Sequence, residues 1–238
     1  MILLPAIDLY GQKAVRLVRG DYAQMTVYSD DPVALAKEFE RQGATHLHMV
    51  DLEGAKDGTT PHIALVQRVA KETGLSIEIG GGIRSMETVE SYLSCGVSRV
   101  ILGTAAVTDE ALLTNAVETY GEHIAVGADV RDGYISIRGW LEQSAFTLEE
   151  FLARMQTIGV QTVVCTDISK DGMLSGANLA LYRALSERFS LRLIASGGVS
   201  GLEDIRALRE MGLYGAILGK AYYTGAVDIR EAMREAKR

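Results

Sequence analysis

Two aspartates each close a short apolar run: Asp8 ends LLPAID and Asp129 ends IAVGAD. Runs of this length and composition suit buried strands, and a carboxylate at the end of one is costly unless it is hydrogen-bonded or working. Two such groups reaching one ligand from different strands can divide the labour, one donating a proton while the other accepts it, as an isomerase requires. The plainer alternative is that each aspartate caps its own loop. Asp51 and Asp167 close similar runs and read as supports, while Asp171-Gly172 reads as a turn with no chemistry of its own.

The second candidate constellation is a pair of glycine-bearing loops. Gly80-Gly81-Gly82 follows one strand-like run and Gly103-Thr104 ends the next; Ser196-Gly197-Gly198 and Gly219-Lys220 do the same later in the chain. Backbone N–H groups can approach an anion closely at such turns, a following helix contributes its positive end, and Thr104, Ser196 or Lys220 can add donors. The alternative is that the glycines only close tight turns. Two copies favour the anion sites: residues 79–105 align with 195–221 without a gap at an offset of 116, pairing Gly81 with Gly197, Gly82 with Gly198, Gly96 with Gly212 and Gly103 with Gly219. At the same offset Asp51 falls on Asp167. Two fused half-barrels, approximately 1–121 and 122–238, account for a repeat at about half the chain length.

The remaining residues narrow the chemistry. Arg16 and Arg19 lie in a glycine-bounded segment after the first strand that reads as a hairpin or lid, where an arginine could grip a phosphate or simply face solvent. Trp140, the only tryptophan, sits in the alternating run RDGYISIRGW, a second hairpin; its indole could stack on a flat heteroaromatic ring or plug the barrel edge. The four histidines form no cluster with metal-ligand spacing, so no metal is expected. Cys95 and Cys165 read as reduced, buried thiols. The formal charge of −7 and the absence of a basic, aromatic-interleaved patch disfavour a nucleic-acid partner. The opening MILLPAIDLYG is too short and too soon interrupted for a signal or a membrane span, which points to the cytoplasm.

These residues need a scaffold that brings strand ends together. Strands are expected at 3–7, 45–50, 76–79, 99–102, 125–128, 162–165, 191–195 and 216–218, alternating with helices at 32–42, 62–72, 86–94, 110–120, 148–157, 179–188, 202–210 and 229–236. Asp31-Pro32 reads as an N-cap and first-turn pair, and Thr147 with Glu150 as a capping box. Eight βα units of about 30 residues make a (β/α)8 TIM barrel, whose sites form at the C-terminal ends of the strands. Asp8 and Asp129 then stand on the first and fifth strands. A doubly wound open sheet would place its glycine fingerprint after the first strand, where this chain has Asp8-Leu9-Tyr10-Gly11. A closed barrel leaves no sheet edge to cover, so a monomer is expected.

LLPAIDLYGQKAVRLVRGD, HMVDLEGA, GGGIR, ILGTAAV, DVRDG with the later GW, TDISKDGMLSGAN, SGGVS and GAILGKAYYTG occur in the order found in the histidine-biosynthesis isomerase family, and the chain resembles it from residue 1 to 225. The resemblance implies conversion of a phosphoribosylformimino-aminoimidazole-carboxamide ribotide from aminoaldose to aminoketose, an Amadori rearrangement on a small bisphosphate. It implies Asp8 as general base, Asp129 as general acid and Thr166 as a stabiliser of the ring-opened intermediate. Arg16 would be a mobile-loop substrate contact, Trp140 would pack near the aminoimidazole, and Asp51 would belong to the binding site. The phosphate grips would fall on Gly82, Gly103 and Thr104, and on Gly176, Gly198, Gly219 and Lys220. No cofactor is implied, because the substrate nitrogen serves as electron sink. The sister cyclase resembles this chain less: it begins with a cysteine-containing strand and a VVKG-like segment where this chain has PAID and VRL. Phosphoribosyl anthranilate isomerisation and a non-catalytic phosphometabolite-binding barrel remain as alternatives.

Overall fold

A computed structural model describes residues 1–18 and 20–238; Arg19, expected beside Arg16 on the first hairpin, lies outside the described residues. Among the described residues twelve strands follow one another as β1 (Ile2–Tyr10), β2 (Lys13–Val18), β3 (Asp21–Ser29), β4 (His46–Asp51), β5 (Ser76–Gly80), β6 (Arg99–Leu102), β7 (Ile124–Arg131), β8 (Tyr134–Ile137), β9 (Glu142–Thr147), β10 (Thr162–Asp167), β11 (Arg192–Ser196) and β12 (Gly215–Leu218). Eight of them, β1, β4, β5, β6, β7, β10, β11 and β12, pair in parallel in that order, and β12 returns to β1, closing the barrel. The other four form two antiparallel hairpins: β2–β3 grows from β1 and β8–β9 from β7. The (β/α)8 architecture is therefore the expected one.

Alternation along each barrel strand sorts side chains between two cores. On β1, Leu3, Ile7 and Leu9 pack outward against the helices, while Leu4 and Ala6 point into the barrel with Ile101, Ala125, Val164, Ile194 and Ile217. Asp8 continues the inward set. On β7 the outward set is Ile124, Val126, Ala128 and Val130, which leaves Asp129 inward above Ala125 and Gly127. The outer layer holds the bulk of the apolar surface, including the fully buried Phe39, Leu47, Tyr92, Phe151 and Tyr182. Burying each such side chain contributes about 1.5–3 kcal/mol, and this layer is what holds the helices against the barrel.

The helices form where periodicity and caps agree. Asp31 accepts hydrogen bonds from the Val33 and Ala34 amides and Pro32 starts the helix Pro32–Arg41. Thr147 and Glu150 complete a reciprocal capping box at the head of Leu148–Ile158. Three short helices not expected from periodicity follow strand ends directly: Leu52–Asp57, Thr104–Thr108 and Lys220–Tyr223. Segments of four to six residues are too brief to show a helical apolar period.

Candidate active site

At the C-terminal ends of the barrel strands lies a cavity of about 260 Å³ lined by Asp8, Asp129 and Thr166 together with both glycine turns. Gly82, Gly103 and Thr104 stand on one flank, and Gly198, Gly219 and Lys220 on the other. Strand parity brings the three polar residues inward: Asp8 follows Leu4 and Ala6, Asp129 follows Ala125 and Gly127, and Thr166 follows Val164. Thr166 is also the register partner of Asp129 across the parallel pair of β7 and β10.

Each carboxylate is met by a donor from its own hairpin. Arg16 on β2 donates through Nη1 to Asp8 Oδ2 at 2.9 Å, with both side chains largely buried. Burial works against the guanidinium charge, but Asp8 and Asp171 outweigh it and hold Arg16 above its ordinary pKa. The same guanidinium packs against the Gly219 backbone, where a side chain at that position would collide with it. Trp140, in the β8–β9 turn, donates its indole N–H to Asp129 Oδ2 at 2.8 Å. Burial lifts the Asp129 pKa above the ordinary carboxylate range, against the opposing pull of Trp140, Thr166 and the nearby His48. A carboxyl whose proton is held to higher pH, sharing a cavity with an ion-paired one, suits a donor and an acceptor working together.

The hairpins also meet each other. A Cβ built on Gly20, between β2 and β3, would stand 2.9 Å from Trp140 Cε3, so glycine there admits the indole. The Arg138 amide donates to Thr104 Oγ1 at 2.8 Å, seating the second hairpin on the first glycine flank. The indole expected to stack on a ligand or plug the barrel edge here lines the cavity and holds a carboxylate.

Two residues expected in the binding set stand behind the cavity wall. Asp51 follows the outward residues Leu47 and Met49, is fully buried, and accepts from the Gly54 amide at 2.8 Å and His62 Nδ1 at 2.9 Å. A Cβ on Gly81 would stand 2.9 Å from the Asp51 backbone nitrogen, so Asp51 buttresses the glycine turn from outside. Gly176 likewise sits behind its turn: its carbonyl oxygen lies 2.5 Å from where a Gly198 Cβ would be. Asp167, at the repeat-related position of Asp51, caps Ser169 and Asn178 in the same supporting manner.

Among the described residues, four polar cavity residues were given no site role by sequence reasoning. Asp171, read as a turn residue, lines the cavity, and burial pushes its carboxyl pKa up, with Arg16 and Lys220 pulling the other way. Lys220 Nζ donates to the adjacent Gly172 carbonyl at 2.8 Å, tying this loop to the second flank. Arg84, in GGGIR, lines the first flank and reaches the Ala55 carbonyl. Tyr22 and His48 complete the wall. Arg84 carried a usable signal, a cation four residues after Gly80; Asp171 did not, because its cavity position depends on how the loop after β10 folds back.

The family model described as "Histidine biosynthesis protein" matches residues 2–228. A Lactococcus lactis subsp. lactis protein named 1-(5-phosphoribosyl)-5-((5-phosphoribosylamino)methylideneamino)imidazole-4-carboxamide isomerase is 49% identical over 238 residues, covering 99% of this chain and 100% of its own length. Proteins of the same name from Oceanobacillus iheyensis and Thermoanaerobacter pseudethanolicus are 48% and 43% identical over 98% and 100% of this chain, and over 97% and 100% of their own lengths. With nearly its whole length matched, the chain belongs to the histidine biosynthesis protein family.

Proposed function

We propose that this chain catalyses the aldose–ketose isomerisation for which its relatives are named, acting on an imidazole-carboxamide ribotide with a phosphoryl group at either end. The observation that carries the reading is one cavity holding two inward carboxylates, each met by a different hairpin, between two glycine flanks. Asp129 donates its proton to the furanose ring oxygen; the C1′–O bond breaks and the substrate nitrogen's lone pair forms the protonated Schiff base. Asp8 takes the C2′ proton, and the electron pair left behind moves through C1′ to that nitrogen, giving an enaminol that collapses to the ketose. Thr166, beside Asp129, stabilises the opened chain. Arg16 lies between Asp8 and the Gly219 flank, so a phosphoryl group arriving there competes for the guanidinium and frees Asp8 to act.

Binding energy from two terminal phosphates can hold the reacting ribose between the aspartates, which is where proximity contributes most. Arg84 and Lys220 supply fixed positive charge, one on each flank. The half-barrel division at about residue 121 is part of the proposal, supported by the paired supports Asp51 with Gly81 and Asp167 with Gly197. So are a monomeric state and the cytoplasmic setting of a bacterial biosynthetic step.

The test is turnover of the purified aminoaldose ribotide, followed through the cyclase with an ammonia source. Asp8→Asn and Asp129→Asn each lose a general acid or base contribution of about 10²–10⁴-fold while still binding a bisphosphate product. Near wild-type rates in either variant overturn the assignment.

A further inference from the structure

Most of the barrel interior is apolar, yet three neighbouring strands place charge in it at one level. His48 on β4 is in register with Glu78 on β5, and Glu78 with Arg99 on β6. Glu78 is 1% exposed. Its Oε1 meets His48 Nδ1 at 2.7 Å, and its Oε2 accepts both Nε and Nη2 of Arg99, at 3.0 and 2.6 Å. Outward neighbours on these strands, Leu47, Met49, Ile77, Ile79, Val100 and Leu102, are the aliphatic residues a barrel wall calls for.

A charged row of this kind is poor at stabilising a fold. Removing three polar groups from water costs several kcal/mol per ion, and a well-packed apolar replacement is commonly neutral or better. What the row does is fix an imidazole. With Nδ1 committed to Glu78, Nε2 is the ring's remaining nitrogen, and among the described residues no group pairs with it. His48 lines the cavity and Glu78 does not, so the row runs from the barrel interior to the cavity floor. That floor lies one inward step below Val50, the register partner of Asp8. Carboxylates that accept an imidazole N–H set both its tautomer and its orientation.

We propose that His48 presents Nε2 to a hydroxyl of the reacting sugar, and that Glu78 and Arg99 are positioning residues acting only through it. This rests on the isomerase reading and extends it below the two aspartates. With Nδ1 engaged by Glu78, Nε2 is the ring nitrogen left to exchange a hydrogen bond with the sugar, apart from the protons moved by Asp8 and Asp129.

The experiment is a double-mutant cycle on ribotide turnover, with nitrogen-15 NMR of the His48 ring. Glu78→Gln lowers kcat roughly tenfold to a hundredfold, the scale on which outer partners of functional histidines act. KM moves little, because the phosphate grips are elsewhere. In a His48→Gln background the same change adds no further loss. Glu78→Leu combined with Arg99→Met replaces the pair by apolar residues of similar volume; it melts at or above the wild-type temperature yet loses kcat to the same extent. Ring shifts show Nδ1 protonated in the wild type, with that preference weakened in both Glu78 variants. Additive losses in the cycle, full kcat in the apolar pair, or an Nε2–H tautomer in the wild type overturns the proposal. A wild type that fails to turn over the ribotide refutes the isomerase reading instead, and the NMR result then judges the positioning row alone.

Discussion

Asp51 offers the sharpest test of how the cavity wall is held. Replacing it with alanine strips the acceptor from the Gly54 amide at 2.8 Å, from His62 Nδ1 at 2.9 Å and from the His62 amide at 3.4 Å. Asp51 and His62 are both 0% exposed, so water cannot take over these donors. Each orphaned buried donor costs about 1–3 kcal/mol. Glu53 Oε2 lies 3.0 Å from His62 Nε2 and can retain part of the imidazole's interaction, which keeps the sum below its simple total. The expected loss is about 3–5 kcal/mol, the range for breaking a buried pair from one side.

Asp167→Ala is the built-in control. Asp167 is 6% exposed and its partners are the Ser169 amide and hydroxyl and the Asn178 amide, all neutral and nearer solvent. Its replacement costs about 1–3 kcal/mol. Urea unfolding of both variants, followed by circular dichroism and fluorescence with coincident transitions and an unchanged slope, measures the difference. In turnover assays Asp51→Ala raises KM, because Gly54, which the Asp51 carboxylate anchors and which packs against Gly82, loses its hold, while kcat of the folded fraction holds. Asp51→Ala within about 1 kcal/mol of wild type, or no more costly than Asp167→Ala, refutes the reasoning.

Lys220→Met removes a point charge from the second flank and is expected to raise KM for the ribotide about 10- to 100-fold, with inhibition by inorganic phosphate weakened in parallel; an unchanged KM counts against that flank. Trp140→Phe takes away the N–H that favours the Asp129 carboxylate, so the Asp129 proton is held to higher pH and the alkaline limb of kcat/KM moves upward; a downward move contradicts the geometry. Glu78 would be lifted by burial, but His48 and Arg99 hold it below its ordinary value of 4.5. Its stabilising contribution is therefore complete above that value and lost as pH falls through the depressed one, so Glu78→Gln flattens the decline of melting temperature below about pH 4.5.

Legibility of the fold followed local physics. Arg99–Leu102, Met86–Ser94, Glu110–Tyr120, Leu179–Arg188 and Leu202–Glu210 lie where apolar pattern and turn residues placed them, and hairpins arise at both segments read as hairpins. Two inward residues were readable because a single strand carried each: Asp8 and Asp129 reach the cavity in parity with Ala6 and Gly127, whereas Thr166, in parity with Val164, came from the resemblance alone. The same parity rule, applied to Leu47 and Met49, would have sent Asp51 to the outer layer. Asp171 was out of reach, since no periodicity governs a loop whose place depends on Arg16 and Lys220 across the cavity. The Glu78 row was hidden for another reason. Glu78 and Arg99 are 21 residues apart and meet only through strand register, which a single chain does not display.

Under the half-barrel reading the proposed division into acid and base has a simple physical origin. Asp8 and Asp129 stand at corresponding places, each on the first strand of its half and each followed by a hairpin that folds back over it. The hairpins differ in what they offer. From the first comes Arg16, a full positive charge that ion-pairs with Asp8; from the second comes Trp140, a neutral N–H dipole. A dipole offsets less of the cost of burying a carboxylate than a charge does, and at Asp129 burial prevails, lifting its pKa above the ordinary carboxylate range. On the proposed roles, a duplicated scaffold with two equivalent aspartates acquires one acid and one base by changing which residue the neighbouring hairpin offers, while the shared glycine turns keep two like flanks for the phosphoryl groups of the proposed substrate.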